Sequence, residues 1–223
     1  MKTKTYFVLL LFFIVTLPTS LSALDTRSWK TENRVALVFG LSQSLALNGF
    51  NAEFNYIHNR FIFAYSHGVS LDFGTGLVPE YLEKQGVVAR MPFSTGLGIG
   101  YRLFEWLNLR IEPKWHRFDF YYHGDAKTSG NRITRDANNI SIGIGLYGLI
   151  KPFRKINNPL QGITIAPSIR FWPTIISDFD DRVYSYQSKF TGQIEEIKTP
   201  HPGIDFTPLV LNISIGYTIN IGN

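Results

Sequence analysis

Three polar residues in one stretch of the chain are of the types that catalyse acyl transfer. They are His123, Asp125 and Ser129. A serine hydroxyl can attack an acyl carbon when a histidine takes its proton and a carboxylate orients that histidine. The glycines and threonine around these residues are equally typical of a solvated turn. Because spacing does not show whether the three side chains meet, both interpretations stand.

Acidic residues form a second group of candidate ligands. Asp178, Asp180 and Asp181 could offer carboxylate oxygens to calcium, but their spacing matches no established calcium-binding loop, and a solvated acidic bend is favoured. The chain has no cysteine, which excludes disulfide bonds, thiolate metal sites and a lipidated cysteine. We therefore predict neither a bound metal nor a cofactor.

Charged residues also occur at every second position of one segment. Arg110, Glu112, Lys114 and His116 follow one another at a spacing of two, which places them on one face if the segment is a β-strand. Such a row could form ion pairs with charges on neighbouring strands, or it could line a path for ions or solutes. The choice depends on the elements that position the row.

The first residues have the order of a secretory signal peptide. Two lysines precede an apolar run over residues 6–17, and small residues follow it. We predict cleavage after Ser22, so that residues 1–22 are the signal peptide, 23–32 a short periplasmic segment and 33–223 a single domain. An apolar run of about 12 residues is too short for a membrane-spanning helix, and no later segment approaches 18 apolar residues.

The charge balance excludes one class of partner. The chain carries 22 Lys and Arg against 17 Asp and Glu, a net charge of +5. Removal of the signal peptide takes two lysines away and leaves about +3, and no basic run of five or six residues occurs. We therefore predict no nucleic-acid partner.

Alternation of apolar and polar residues runs through most of the remaining sequence. From Leu209 to Ile221 the odd positions are apolar, while even positions from Asn212 onward are small or polar, which is typical of a β-strand. Weaker versions occur in seven other segments: 35–41, 50–56, 61–73, 93–103, 107–116, 140–146 and 163–171. Since an even number of strands closes a single-chain barrel, we predict an all-β fold, an eight-stranded antiparallel up-and-down transmembrane β-barrel.

The connections between these segments alternate between short and long. Short ones at 58–60, 104–105 and 151–162 suit periplasmic turns, and long ones at 44–48, 75–91, 117–138 and 173–208 suit extracellular loops. In the last loop, residues 183–190 and 193–198 flank Thr191-Gly192 and predict a hairpin. This hairpin would stand above the membrane, with Tyr184, Tyr186 and Phe190 available to a partner.

Glycine decides which face of the strands points inward. A soluble lipocalin-like barrel would show the same alternation with its apolar face inside. Glycine weakens a strand unless a large neighbour needs the space, and six glycines lie on the polar face: Gly96, Gly98, Gly100, Gly143, Gly145 and Gly216. We therefore predict that long charged side chains fold over these glycines inside a narrow lumen. The predicted lumen residues are Glu53, Arg102, Arg110, Glu112, Lys114, His116 and Arg170.

Aromatic residues are placed as two interfacial girdles would require. Near the turns lie Phe61, Phe63, Tyr101, Trp106 and Tyr217, and near the loops lie Phe50, Phe73, Phe93, Trp115 and Phe171.

Three residues do not fit a regular barrel. Pro113 and Pro167 fall inside strands, where we expect local bulges. His67 falls on the outward face, so either a bulge turns it inward or it faces lipid.

With these patterns, residues 33–222 resemble the OmpA/OmpX-type small outer-membrane barrels and, more loosely, the outer membrane proteins with a β-barrel domain. The resemblance is one of architecture, and the sequence departs from it by ending in Tyr217-Thr-Ile-Asn-Ile-Gly-Asn223 rather than in an aromatic residue. It implies location in the cell outer membrane of a Gram-negative bacterium. The implied partners are outer-membrane lipid, lipopolysaccharide and the outer-membrane assembly machinery.

Three functions remain open from the sequence. The favoured one is a non-enzymatic barrel whose lumen is plugged by ion pairs and which acts structurally or binds a surface partner through loops 117–138 and 173–208. The second is a minor channel for small solutes or apolar ligands. The third is a lipid A-modifying acyltransferase or deacylase. A palmitoyltransferase would need an apolar pocket, whereas this lumen is charged, and a deacylase would need a serine near the outward His67, which Val69 does not supply.

Overall fold

The computed structural model describes residues 33–221, so the predicted signal peptide and the segment 23–32 lie outside the described residues. Two short helices occur, α1 (Leu41–Ala46) and α2 (Glu80–Lys84), and no helix among the described residues is long and apolar enough to cross a membrane. The strands are β1 (Asn33–Gly40), β2 (Phe50–His58), β3 (Phe61–Phe73), β4 (Val87–Arg102), β5 (Leu107–Tyr122), β6 (Ala137–Gly148), β7 (Ile163–Phe171), β8 (Thr174–Ser177), β9 (Val183–Gln187), β10 (Ile194–Lys198) and β11 (Leu209–Asn220).

Eight of these strands form a closed antiparallel barrel. Each is hydrogen-bonded to its neighbours in the order β5-β4-β3-β2-β1-β11-β7-β6, and pairing between β5 and β6 closes the ring. β8 continues the line of β7 beside β6, and β9 and β10 form a separate hairpin. The predicted eight-stranded up-and-down barrel is confirmed, and so is the predicted hairpin in the last loop.

The two ends of the barrel differ in the length of their connections. We call the end formed by residues 33–34, 58–62, 101–107, 148–162 and 219–221 the turn end. We call the end formed by residues 40–49, 70–92, 117–138 and 173–208 the loop end. Every long connection predicted from the sequence falls at the loop end.

The outward face of the barrel is apolar and the inward face is largely polar. Many side chains of the outward face leave more than a third of their surface exposed, among them Leu37, Phe54, Phe63, Tyr65, Leu97, Ile99, Ile111, Trp115, Ile142, Ile144, Ile169 and Ile215. His67 lies on this face, with its ring stacked 6.5 Å from that of Tyr65. Buried side chains of the opposite face are mostly charged, hydroxyl or amide groups.

The expected bulges at two prolines are wrong. Pro113 pairs with Ile142 in the unchanged register of β5 and β6, and Pro167 pairs with Ile213 in the unchanged register of β7 and β11. On the other side of each proline some residue pairs are missing, and pairing then resumes in the same register. A proline lacks only its own backbone N–H donor, so the hydrogen bonds further along the strand are kept. A register shift does occur in β4 between Arg90 and Ser94, around a third proline, Pro92.

Above this shift the inward face of the barrel becomes apolar. Ser70 in β3 has a positive φ of 55°, and beyond it Leu71 and Phe73 point inward instead of the even-numbered residues. Phe73 is therefore buried, and its predicted place in the outer aromatic girdle is wrong. The extended ends of β4 and β5, with α2 and segments of the last loop, enclose an apolar core that we call the cap: Leu71, Phe73, Val78, Leu82, Val87, Ala89, Met91, Phe118, Phe120, Tyr122, Ala137, Phe179, Tyr186, Ile197 and Phe206.

The β9–β10 hairpin lies on the barrel rather than standing free above it. Tyr186 is 8% exposed and packs edge-on against Tyr122, with ring centroids 6.4 Å apart. Tyr184 is partly buried against Phe179. The prediction that both tyrosines are available to a partner is therefore wrong, and only Phe190 of the three predicted aromatics is exposed.

Candidate functional site: the buried charge network

Arg110 in β5 is surrounded by partners inside the barrel and is almost fully buried. Its Nη1 donates to Glu53 Oε1 at 2.7 Å, and its Nη2 donates to Asn55 Oδ1 at 2.8 Å. The guanidinium also lies over the ring of Tyr147, 4.0 Å from its centroid. A planar guanidinium suits this environment because its donors and its face are used at the same time.

Glu112 lies two residues after Arg110 in β5 and contacts three side chains from three strands. Ser66 Oγ donates to Oε1 at 2.5 Å and Tyr147 Oη donates to Oε2 at 2.8 Å. Lys114 Nζ lies 3.3 Å from Oε1. The carboxylate is wholly buried, so these contacts supply the compensation that a buried charge requires.

Lys114 and a further cation, Arg170, lie over aromatic rings inside the barrel. Lys114 Nζ lies 4.5 Å from the ring of Trp172, and the Arg170 guanidinium lies 5.0 Å from the same ring and 5.6 Å from Tyr147. Cation–aromatic contacts stabilise charges that have lost water. The five charged residues of this group, Glu53, Arg110, Glu112, Lys114 and Arg170, are called the lumen network below.

The two other predicted lumen residues are buried but lie apart from this network. Arg102 is at the turn end, where Nη1 donates to the carbonyl of Asn59 at 2.8 Å and Nη2 to that of Glu105 at 3.2 Å. His116 lies toward the cap, with Nε2 2.6 Å from Ser141 Oγ and its ring edge-on to Trp172. Arg102 therefore braces two turns, and His116 forms the boundary between the polar and apolar parts of the interior.

Four of the predicted glycines lie under side chains of this interior. A Cβ atom on Gly98 would lie 3.1 Å from Arg110 Cδ, and one on Gly145 would lie 2.7 Å from Arg170 Cγ. Gly96 lies against Lys114, and Gly143 lies against the ring of Trp172.

The other two glycines face the backbone more closely. Gly100 lies near the Leu109 carbonyl and the Asn108 side chain, and Gly216 lies against the backbone of Leu37 and Val38.

Sequence reasoning missed the aromatic members of the site. Trp172 falls between the predicted strand 163–171 and the predicted loop 173–208, but it follows the inward Arg170 at a spacing of two and is nearly fully buried. Tyr147 likewise continues the inward series Gly143, Gly145. Extending the alternation by one inward position past each predicted strand end would have found both residues.

The interior around the network has little unfilled space. A cavity of about 10 Å³ lies beside Glu53, Arg110 and Tyr147, which is room for roughly one water molecule. The site can therefore hold strands in register through buried ion pairs.

Comparisons with known proteins concern the fold. A scan against protein-family models found no match, and neither did a search of curated proteins. Among solved structures, the chain is similar to Ail, the attachment invasion locus protein of Yersinia pestis, with 13% identity and a TM-score of 0.41 over 85% of this chain and 100% of Ail. A major outer membrane protein from Thermus thermophilus gives 11% identity and a TM-score of 0.43 over 85% of this chain and 98% of that protein. These likenesses say nothing about function.

The candidate acyl-transfer residues do not form a linked group. His123 and Ser129 are exposed, and no hydrogen bond within residues 33–221 joins either of them to Asp125. Asp125 instead pairs with Lys189, its Oδ2 lying 2.7 Å from Nζ. This ion pair ties the third long connection to the β9–β10 hairpin.

The candidate calcium ligand Asp178 has its carboxylate engaged by another residue. Asp178 Oδ2 accepts from Asn138 Nδ2 at 2.8 Å and from the Asn138 backbone N–H at 3.2 Å. In the described part of the chain, no three acidic or histidine side chains converge as metal ligands. Asp178 therefore anchors the last loop to β6.

His201 connects the segment that follows the β9–β10 hairpin to strand β8. Its Nδ1 accepts the Thr174 backbone N–H at 2.9 Å, so the ring proton is on Nε2, which faces Arg182 Nη2 at 3.4 Å. Burial, followed by the charges of Arg182 and Lys198, lowers the pKa of His201 below its ordinary value. A neutral ring is therefore part of this contact.

Proposed function

We propose that this protein is an integral outer-membrane β-barrel with a plugged polar lumen. The observation that carries the proposal is the combination of an apolar outward face with buried charges inside. A soluble barrel buries its apolar face and exposes its charges, whereas a membrane barrel does the reverse. The closed ring supports the same conclusion, since it leaves no strand edge unpaired in lipid.

The plug has two layers, and each supports a non-conducting barrel. The lower layer is the lumen network, in which ion pairs and stacked rings occupy the narrow interior. The upper layer is the cap, whose aromatic and aliphatic side chains close the loop end. An eight-stranded barrel is only wide enough for its own side chains, so two filled layers leave no path for solutes.

The role left to such a barrel is structural or is exercised at its loop end. Ion pairs fix the connections there: Lys127 pairs with Asp72, Lys189 with Asp125, and Arg117 with Asp136. A loop surface held in one conformation binds a partner at a lower entropic cost than a mobile one. Residues 117–138 and 173–208 are therefore the proposed contact region. Outer-membrane lipid, lipopolysaccharide and the assembly machinery are proposed partners of the barrel itself.

Fractionation and electrophoresis test the location. We expect the protein in outer-membrane fractions, and we expect unboiled and boiled samples to migrate differently because the barrel stays folded in detergent until it is heated. Recovery in the soluble fraction would contradict the membrane assignment.

Planar-bilayer recording tests the plug. Protein from the same heat-modifiable preparation is added to the bilayer, so that failure to fold is not mistaken for a closed lumen. We expect no steady ion current. A steady current through the wild-type protein, increased in Glu112→Ala, would contradict the plugged lumen and favour a minor channel.

A further inference from the structure

Charged side chains are divided unequally between the two ends of the barrel. Within residues 33–221, the loop end carries 12 carboxylates and nine cations, whereas the turn end carries a single carboxylate, Glu105. The turn end has six cations: Arg34, Arg60, Arg102, Lys151, Arg154 and Lys155. The described part of the molecule is therefore strongly polarised, with its basic pole at the short turns.

Glu105, the carboxylate at this end within residues 33–221, pairs with two of the six cations. Glu105 lies 3.3 Å from Arg34 and 3.2 Å from Arg154, measured between side-chain nitrogen and oxygen atoms. Its charge is thus shared by two arginines. The turn of residues 148–162 contains three cations and no acidic residue. This segment presents the largest concentration of positive charge at the turn end.

Large apolar side chains are exposed among these cations. Phe104 is 54% exposed and stacks on Trp106 at 6.2 Å, while Phe153, Ile156 and Leu160 are exposed along the basic turn. Mixed apolar and cationic surfaces are typical of the membrane interface, where rings lie among the head groups and Lys and Arg reach the phosphates.

The basic turn is held in a defined conformation. The N–H of Arg154 donates to the carbonyl of Lys151, and the N–H of Ile156 donates to that of Phe153. Tyr217 Oη donates to the carbonyl of Pro159 at 2.7 Å, which fixes the turn to β11. The backbone that carries these cations is therefore ordered before any ligand arrives, and this lowers the entropic cost of binding.

We propose that the turn end binds the phosphate groups of anionic phospholipids in the leaflet that it meets, mainly through Arg154 and Lys155. The inference rests on the proposed membrane location. Each cation near an anionic lipid surface strengthens binding about fivefold, and the apolar neighbours restrict the ligand to a lipid rather than a free phosphate. Neighbouring Phe153 and Ile156 would contact the acyl region.

Lipid retention tests the proposal on the full-length mature protein. The protein is folded in a neutral detergent and mixed with equal amounts of phosphatidylglycerol and phosphatidylcholine, and the retained lipid is measured by native mass spectrometry. The test variant is Arg154→Gln/Lys155→Gln. The control is Lys84→Gln/Lys127→Gln, which removes the same charge from the loop end.

We expect the wild-type protein and the control to retain phosphatidylglycerol in excess. We expect the test variant to lose that preference by at least fivefold. Equal retention of both lipids by the wild type, or an equal loss in the control, would overturn the lipid site while leaving the barrel assignment intact. Different migration of boiled and unboiled samples verifies that each variant is folded. If the wild-type protein shows no such difference, the result contradicts the proposed membrane barrel and not the lipid site alone.

Discussion

The contacts of Glu112 make it the residue on which the lumen network depends. Its carboxylate is wholly buried and accepts hydrogen bonds from Ser66 and Tyr147 while pairing with Lys114. Three cations and two carboxylates make up the network, so loss of Glu112 leaves Glu53 alone among Arg110, Lys114 and Arg170. Breaking a buried pair is costly because the remaining charge keeps its desolvation penalty.

We therefore expect Glu112→Gln to lower the free energy of unfolding by about 3–5 kcal/mol. Tyr147→Phe is the matched control, because it removes one hydrogen bond to the same carboxylate and keeps the ring under Arg110; we expect a loss of about 1–2 kcal/mol. Urea unfolding of the barrel in phospholipid vesicles measures both. Equal stabilities for Glu112→Gln and the wild type would show that the network is not an energetic unit.

Gly98 tests the space beneath the same charges. Any side chain there would meet Arg110 Cδ at 3.1 Å and Glu112 Cγ at 3.3 Å, and both belong to side chains held by ion pairs. We expect Gly98→Phe to abolish heat-modifiable migration, since a packed interior has no room for a phenyl ring. Gly130→Phe is the control, because nothing lies within 4 Å of a Cβ at Gly130. Normal migration of Gly98→Phe would contradict the described packing.

At the scale of elements, the β9–β10 hairpin covers the loop end of the barrel, and one face of the hairpin packs into the cap. Ile197 is fully buried in the cap, whereas Ile194 on the same strand is 78% exposed. We expect Ile197→Ala to destabilise the closed hairpin by about 2–5 kcal/mol, and Ile194→Ala to change it by less than about 0.5 kcal/mol. Hydrogen exchange of the β9 and β10 amides measures this difference. Equal exchange in the two variants would mean that the hairpin does not depend on the cap.

The segment that follows the hairpin should respond to pH through His201. The folded pKa lies below the ordinary value of 6.5, so the folded segment binds the proton less tightly than the open one. Its stability is therefore complete above pH about 6.5 and falls as the pH decreases below that value. We expect protection of the Thr174 amide, corrected for the intrinsic exchange rate, to fall on acidification. His201→Phe should remove this dependence and His123→Ala should keep it; persistence in His201→Phe would exclude His201 as its source.

The strands were predictable because alternation reports which face of a strand is apolar, and this signal is strong in residues 209–221. The same signal does not say where a strand changes its inward face. The positive φ of Ser70 and the shift around Pro92 invert the alternation in β3 and β4, so Phe73 was assigned to the wrong side. Both changes depend on backbone geometry that neither residue type specifies alone.

The charged residues of the lumen network were predicted from the sequence, whereas the aromatic residues that contact them were not. Charged residues at inward positions of a narrow barrel must meet one another, so Arg110 and Glu112 could be named from spacing. Trp172 and Tyr147 have residue types that also occur among the interfacial aromatics on the outward face, so only the alternation continued past the predicted strand ends identifies them. The cap was missed for a related reason, because its apolar residues belong to extended strand ends that loop length alone suggests are irregular.

For the whole molecule, the outward apolar face decides whether lipid or water surrounds the barrel. Ile111 lies on that face between Ile99 and Ile144 on the neighbouring strands, and midway between Leu107 and Trp115 in β5. A lipid-facing arginine near the middle of a bilayer destabilises a membrane barrel by about 2–4 kcal/mol. In water, an arginine at an exposed position changes stability by less than about 0.5 kcal/mol.

We therefore expect Ile111→Arg to lower the free energy of unfolding in phospholipid vesicles by about 2–4 kcal/mol. Ile194→Arg is the control, since Ile194 is more exposed than Ile111 but lies on the hairpin at the loop end, outside the barrel wall; we expect its stability to match the wild type. Urea titrations of the three proteins in the same vesicles give the comparison. If Ile111→Arg is as stable as Ile194→Arg, the outward face is in contact with water, and the assignment of this barrel to a membrane is wrong.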